Sequence, residues 1–489
     1  MIHQYRHYIN GQWIESTSGE TFDIINPSSE EVIAEVQEGN ENDTKSAIDA
    51  ARDAFDKGSW PTLTPSERAR IILRVAEFSE KKLEELAKLE TINQGKPIKM
   101  SRTSDLPFGI DNIRFFAGAS RALEGISSNE FLATGTSLIR REPLGLVSCI
   151  IPWNYPWMIS VWKIIPAIAM GNTVVVKPAS QTPLTLLEFA NILQEAGVPK
   201  GVVNIVTGPG KTVGEELVKN PKVDMVTMTG STETGKNIME LASKTLKKVS
   251  LELGGKAPFI VFDDADINAA SSSAVEGGFV NSGQDCTAAT RFYVHESIYT
   301  KFINAVVEKT RKLRVGDPLN DSTDMGPLIS ASHRTKVSQY VEIGKKEGAK
   351  LILGGKIPDN TECKRGFYYD PTIFTDAQQD MAIVQEEIFG PVLAILPFRE
   401  TQDVIEKAND IAYGLAGSVW TNDITRAIKV TNQLRCGEVW INNHLPLASE
   451  LPHGGFKYSG FGKDLSVYAL HEYTEMRHIY IDTAFKTRN

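Results

Sequence analysis

Apolar and polar residues alternate along residues 1–40, around Gly11 and Pro27, and this period of two predicts short strands. Two helices follow, where the apolar spacing becomes helical. The second opens at Thr64-Pro65-Ser66-Glu67, a capping box with proline in the first helical position. It runs through Ile71, Ile72, Val75 and Leu83 and ends before Gly95-Lys96-Pro97. A further helical stretch covers 113–123. Residues 125–143 differ: Phe131-Leu132-Ala133 and Leu138-Ile139 flank a turn at Thr134-Gly135-Thr136, which predicts a hairpin with no helix to cover it.

From Leu144 strand and helix patterns alternate. Strand patterns fall at 146–151, 173–176, 202–206, 225–229 and 248–251, with helices such as 184–196 and 234–242 between them. The expected fold class is therefore α/β, with a doubly wound parallel sheet that binds its ligand at the C-terminal strand ends. After Gly254 a second α/β pattern runs to about residue 448, with strands at 259–262 and 394–397 and a helix at 299–313. A last strand-like run, 477–481, is expected to extend the sheet of the 125–143 hairpin.

Length and charge narrow the picture. A chain of 489 residues is too long for one core. A net charge of −9 argues against nucleic acid or an anionic membrane as partner. The cysteines Cys149, Cys286, Cys363 and Cys436 are far apart, which suggests neither a disulfide framework nor a zinc site and fits a reducing cytoplasm. The eight histidines lack paired ligand spacing, so no metal is expected. The opening residues lack a signal-peptide core, and the apolar stretch 161–170 is interrupted by Lys163 and Pro166.

Three short stretches carry candidate chemistry. Cys286 follows Gly283-Gln284-Asp285 in small, polar company, where an exposed thiol near a helix start would have a lowered pKa. Glu252 lies between Leu251 and Leu253 before Gly254-Gly255, so desolvation is expected to raise its pKa. Asn154 sits on the rigid turn Pro152-Trp153-Asn154-Tyr155-Pro156. Singly, these read as a core cysteine, a salt-bridged acid and a turn residue. Gly208-Pro209-Gly210 and Gly230-Ser231-Thr232 each follow a strand and open a helix, which suits either an N-cap or a phosphate.

Together with Lys177-Pro178, Gly230-Ser231-Thr232-Glu233-Thr234-Gly235 and Glu387-Ile388-Phe389-Gly390-Pro391, these stretches resemble the NAD(P)-dependent aldehyde dehydrogenases from end to end. Within that superfamily the chain is most similar to the aminoaldehyde branch, the betaine-aldehyde and gamma-aminobutyraldehyde dehydrogenases. The resemblance implies a cofactor domain of residues 1–124 and 144–253 and a catalytic domain of 254–448. It also implies an oligomerisation extension of 125–143 and 468–489, and hence a homodimer or homotetramer.

Site roles carry over residue by residue. Cys286 is the expected nucleophile, Glu252 the base that activates water, and Asn154 with the Cys286 N–H the oxyanion donors. Lys163 and Glu475 fall near the family's water and proton path. Ile151, Trp153, Lys177, Ser180, Gly210, Gly230, Ser231, Glu387 and Phe389 fall at cofactor positions. NAD-selective relatives carry Glu where this chain has Ser180; serine does not repel a 2′-phosphate, so NADP is expected beside NAD. Tyr155 and Trp162 match two walls of an aromatic box for an ammonium group. The third wall, a Trp in betaine-aldehyde dehydrogenases, is His453 here. Asp285 and Glu450 are expected to add negative charge. The expected substrate is 4-aminobutyraldehyde, ahead of betaine aldehyde and succinate semialdehyde. A non-redox thiol esterase or acyltransferase would leave the cofactor loops without purpose.

Overall fold

The computed structural model describes residues 3–123 and 128–483. The first three residues of the predicted hairpin segment and the last six of the tail lie outside the described residues.

The larger sheet has eight strands. Five run parallel, in the spatial order Lys248–Glu252, Met225–Thr229, Leu146–Ile150, Thr173–Lys177, Val203–Ile205. Antiparallel strands flank them: Gly460–Phe461 beside Lys248–Glu252, and His7–Ile9 with Gln12–Ile14 beyond Val203–Ile205. In chain order the first of the five is Leu146–Ile150 and the fourth is Met225–Thr229. They are neighbours, so the strand order reverses between them and the loops at their C-terminal ends open a crevice. Those loops are 151–155 and 230–231.

The second sheet has seven strands, in the order Lys350–Leu353, Thr372–Thr375, Val392–Phe398, Ala289–His295, Ala257–Val261, Ala416–Trp420, Glu438–Ile441, parallel except for the first. Strand Lys248–Glu252 ends only four residues before Ala257–Val261 begins. The C-terminal edge of one sheet therefore feeds directly into the N-terminal edge of the other. The segments carrying Gly254-Gly255, Cys286 and Glu387 to Pro391 each precede a strand of the second sheet, so all three gather at that junction.

A third sheet has three antiparallel strands, Thr474–Asp482, Gly135–Pro143 and Asn129–Leu132. The hairpin and its pairing with the tail are as expected, but the turn sits at Ala133-Thr134. The strand expectations elsewhere hold to within two residues. Two helices differ. The capping box at Thr64 and Glu67 is formed, yet its helix stops at Lys81 and a second one, Leu83–Gln94, follows. The helix expected at 113–123 is Leu106–Ala119, entered through a π-helical turn Ser101–Asp105 with Pro107 in its first turn. No helix among the described residues is long and apolar enough to cross a membrane.

Candidate active site

The cysteine loop is held by unusual backbone. Asn281, Ser282 and Gly283 all have left-handed φ, 46°, 59° and 72°. Only Gly283 adopts this at no steric cost; the other two are held by their surroundings. A Cβ on Gly283 would come within 2.3 Å of the Gly390 carbonyl oxygen, so the turn is pressed against the 387–391 segment. The Asn281 side chain donates to the carbonyls of Asn154 (3.1 Å) and Gln284 (3.3 Å), and the Gln284 amide oxygen accepts from Ile329 N–H. Asn154 Nδ2 donates to the Gln284 carbonyl at 3.2 Å, which leaves its second N–H for another acceptor.

Cys286, Glu252 and His453 form a compact group. A carboxylate oxygen, the sulphur and a ring nitrogen all lie within 4.8 Å of one another. His453 Nε2 is 3.4 Å from Glu252 Oε1, and Nδ1 is 2.6 Å from Glu438 Oε1. Burial raises the Glu252 pKa, as expected, against the pull of His453. The expectation for Cys286 is corrected. No helix starts after it; the next element is the strand Ala289–His295. Burial first, then the Glu252 charge, push the thiol well above its ordinary value, while a hydrogen bond from His453 pulls the other way. Burial disfavours charge on His453, but Glu438, Cys286 and Glu252 outweigh it and raise its pKa well above 6.5.

One cleft, of ≈ 220 Å³, places Cys286, Glu252 and Asn154 beside Trp153, Gly230, Ser231, His333, Glu387 and Phe389. It shares Trp153, Gly230 and Ser231 with a second cleft of ≈ 370 Å³ that holds Ile151, Lys177, Ser180 and Gly210. Together they make one groove along the strand ends. Glu387 Oε1 accepts from Gly255 N–H at 2.9 Å, and burial lifts its pKa to about 7. Trp153 and Phe389 meet edge to face at 5.2 Å. The groove fits a dinucleotide. Helix Thr232–Ser243 opens on it behind the Ser231 cap, with positive dipole end and free N–H groups. Thr229 Oγ1, buried beside that turn, has no hydrogen-bond partner among the described residues. Lys177 Nζ, buried and pushed down to about 8 by that burial, donates to the Pro178 carbonyl. Ser180 Oγ donates to the Gly208 carbonyl at 3.2 Å.

A third cleft, of ≈ 590 Å³, approaches the cysteine loop past Phe108, Tyr155, Met158, Asp285 and Thr287. Tyr155 donates its hydroxyl to Asp285 Oδ2 at 2.6 Å, and Lys96 Nζ stands 4.3 Å over the Tyr155 ring. Trp162 is buried, donates to Asn112 Oδ1 at 2.7 Å, and its ring lies 5.2 Å from that of His453.

Two expected acids are elsewhere. Glu475 is exposed on strand Thr474–Asp482, opposite Glu142, in a cleft with Arg68 and Arg141. The inward position of that strand is its neighbour Thr474, because strand side chains alternate. The acid beside buried Lys163 is Asp464, 3.0 Å away. Glu450 sits exposed in the turn before Leu451 and lines none of these three clefts. The acids that meet His453 are Glu438 and Glu252. Neither Asp464 nor Glu438 lies in a local motif; each reaches the site through strand pairing, and the one signal in the sequence is an acid beside apolar residues, Leu465 and Val439.

The profile of the aldehyde dehydrogenase family matches residues 13–479. The chain belongs to that family and is an NAD(P)-dependent aldehyde dehydrogenase. Among its relatives is a betaine aldehyde dehydrogenase of Bacillus subtilis (strain 168), 46% identical over 476 residues, 97% of each chain. Aldehyde dehydrogenase 1A1 of Rattus norvegicus is 45% identical over 474 residues, 96% of this chain and 93% of that one. The structure of a Staphylococcus aureus betaine aldehyde dehydrogenase in complex with NAD+ superimposes with a TM-score of 0.96 at 41% identity, covering 98% of this chain and 94% of that one.

Proposed function

We propose that this enzyme oxidises a small aldehyde bearing a primary ammonium group, with 4-aminobutyraldehyde the best fit. The charge of the cleft that reaches Asp285 and Thr287, on either side of Cys286, carries the reading. Asp105, Glu276 and Asp285 line it, with no lysine or arginine. Lys96 neutralises Asp105 at 2.5 Å; Glu276 and Asp285 have no ion-pair partner among the described residues. His444, also lining the cleft, is kept neutral by burial, which lowers its pKa to about 4. A carboxylate such as that of succinate semialdehyde meets only repulsion there.

The position of the ammonium follows from His453. An imidazolium beside Cys286 repels a second cation at the reacting carbon. The ammonium must therefore sit several bonds from the aldehyde carbon, out towards Asp285. 4-Aminobutyraldehyde has three methylenes between the two; betaine aldehyde has one. A primary ammonium also donates hydrogen bonds to carboxylates, which a quaternary one cannot do.

The residues divide the chemistry. Cys286 attacks the aldehyde carbon through its sulphur and forms a thiohemiacetal. The Asn154 amide and the Cys286 N–H hold the oxyanion, each worth about 10²–10³ in rate. Ile151, Trp153, Lys177, Ser180, Gly210, Gly230, Ser231, Glu387 and Phe389 hold the cofactor, and the bound nicotinamide supplies the hydride acceptor. Glu252, ionised, takes a proton from water to release the acid from the thioester. Lys163 and Asp464 fix the wall behind Glu252. Ser180 leaves room for a 2′-phosphate, so NADP is accepted beside NAD. We assign residues 1–124 and 144–253 to the cofactor domain, 254–448 to the catalytic domain and the three-stranded sheet to assembly of a homodimer or homotetramer. Four free cysteines fit the cytoplasm.

The test compares kcat/KM for 4-aminobutyraldehyde and butyraldehyde, which lacks only the ammonium, in wild type and Asp285→Asn. The wild type is expected to prefer the amino substrate at least about tenfold, and the variant to lose most of that preference. Equal use of both aldehydes by the wild type would overturn the reading.

A further inference from the structure

We propose that His453 and Glu438 form a charged dyad that serves Cys286: Glu438 pairs with the ring at Nδ1, and the imidazolium faces the sulphur and stabilises its thiolate. The proposal rests on Cys286 being the nucleophile, but assigns a role outside ammonium recognition to His453, the residue at the third wall of the aromatic box.

The geometry is specific. His453 lies in the loop Pro452-His453-Gly454-Gly455, and that loop is clamped by its backbone. His453 N–H donates to the Asp464 carbonyl and Asp464 N–H to the His453 carbonyl, both at 2.8 Å. A Cβ on Gly454 would come within 2.8 Å of the Gly462 carbonyl oxygen, and Gly454 takes a φ of 147°. The Lys463 ammonium donates to the Gly454 carbonyl. The ring is 3% exposed and packs on Trp162. It therefore has little freedom to turn away from its two polar neighbours.

Those neighbours divide between its two nitrogens. Nδ1 meets Glu438 at 2.6 Å, at the start of strand Glu438–Ile441. Nε2 meets Glu252 at 3.4 Å, at the end of strand Lys248–Glu252, and a ring nitrogen lies within 4.8 Å of Cys286 Sγ. The other charges around the ring are Asp464, Lys163 and Lys463. Lys163 is spent on Asp464, while Lys463 leans on the loop carbonyl. Among the described residues the ring is thus the one cation placed directly between Glu438, Glu252 and the sulphur.

The consequence concerns the first covalent step. The Sγ–H bond of Cys286 breaks, its proton passes to solvent water as a new O–H bond, and the electron pair stays on sulphur, while Glu252 stays ionised for the later hydrolysis. Without His453 that negative charge would form in a buried, acid-lined pocket, where desolvation and Glu252 both oppose it. The imidazolium opposes both effects. It also stays protonated through the step, because Glu438 balances its charge from the other side.

Alkylation of Cys286 by iodoacetamide reads the thiolate directly and needs no aldehyde. Rates are measured against pH in wild type, His453→Phe, His453→Gln and Glu438→Gln, each checked for NAD+ binding by fluorescence titration. Loss of a neighbouring opposite charge displaces a pKa by about 1–3 units. The alkylation midpoint is expected to move up by that amount in both His453 variants and by a smaller amount in Glu438→Gln. The Gln variant stands in if the Phe variant does not fold. Midpoints within error of wild type, or lower, in variants that bind NAD+ would overturn the proposal. Failure of the underlying reading looks different: alkylation of Cys286 that leaves NADH formation intact.

Discussion

Lys163 and Asp464 face each other at 3.0 Å with neither side chain more than 3% exposed, and Lys163 also donates to Thr227 at 3.2 Å. The pair joins helix Pro156–Ala169 to the segment that pairs with His453. Removing one partner leaves a buried charge alone, which costs about 3–5 kcal/mol. Asp464→Asn is expected to lower Tm by several degrees, with Lys163→Met/Asp464→Leu recovering much of the loss. A single variant as stable as wild type in thermal unfolding would contradict this.

Burial raises the pKa of both Glu252 and Cys286. Each works in its ionised form, and a raised pKa means that form appears only as pH climbs. Activity should therefore rise with pH, and its rise should begin above the ordinary carboxylate range. In Glu252→Gln the thioester should form and persist. A burst of NADH near one equivalent per site, followed by turnover lowered at least about a hundredfold, is the expected trace. A variant with full turnover and no burst would remove Glu252 from the hydrolytic step.

Much of this was legible in the sequence because it is local. Five strands of the larger sheet read off their β-branched runs, and the Thr64 to Glu67 box marked its helix. Cys286, Glu252 and Asn154 stood in short stretches whose company was odd for core residues. What was hidden depends on long-range pairing. Asp464 and Glu438 become site residues only when the 453–464 bridge and the strand Glu438–Ile441 form. Glu475 and Glu450 read as plausible acids because a linear sequence does not tell which side of a strand or turn faces inward. The Cys286 pKa is hidden for the same reason: neighbouring N–H groups are local, while burial by the folded chain, and after it a carboxylate 34 residues away in sequence, set the shift.

Cofactor choice turns on position 180. Ser180 and Lys177 line the same cleft, and neither carries negative charge. In Ser180→Glu a 2′-phosphate would meet a carboxylate, and like charges brought together cost several kcal/mol. kcat/KM for NADP is expected to fall at least about tenfold while that for NAD changes little. An equal fall for both would place Ser180 outside the ribose site.

The three-stranded sheet presents exposed Phe131 (63%), Leu132, Met476 (69%) and Ile481 on its surface. Phe131 and Leu132 lie on one edge strand and Met476 and Ile481 on the other, and large apolar side chains exposed on open edges suit an interaction surface. Phe131→Asp with Met476→Asp is expected to lower the assembly state in size-exclusion chromatography with light scattering. An unchanged mass would move the interface elsewhere.

The most direct test of the central claim is the initial rate of NADH and NADPH formation with 4-aminobutyraldehyde, betaine aldehyde and succinate semialdehyde, in wild type and Cys286→Ala. The account predicts fastest turnover of 4-aminobutyraldehyde and its loss in the variant. Faster turnover of succinate semialdehyde, or retained activity without Cys286, would contradict it.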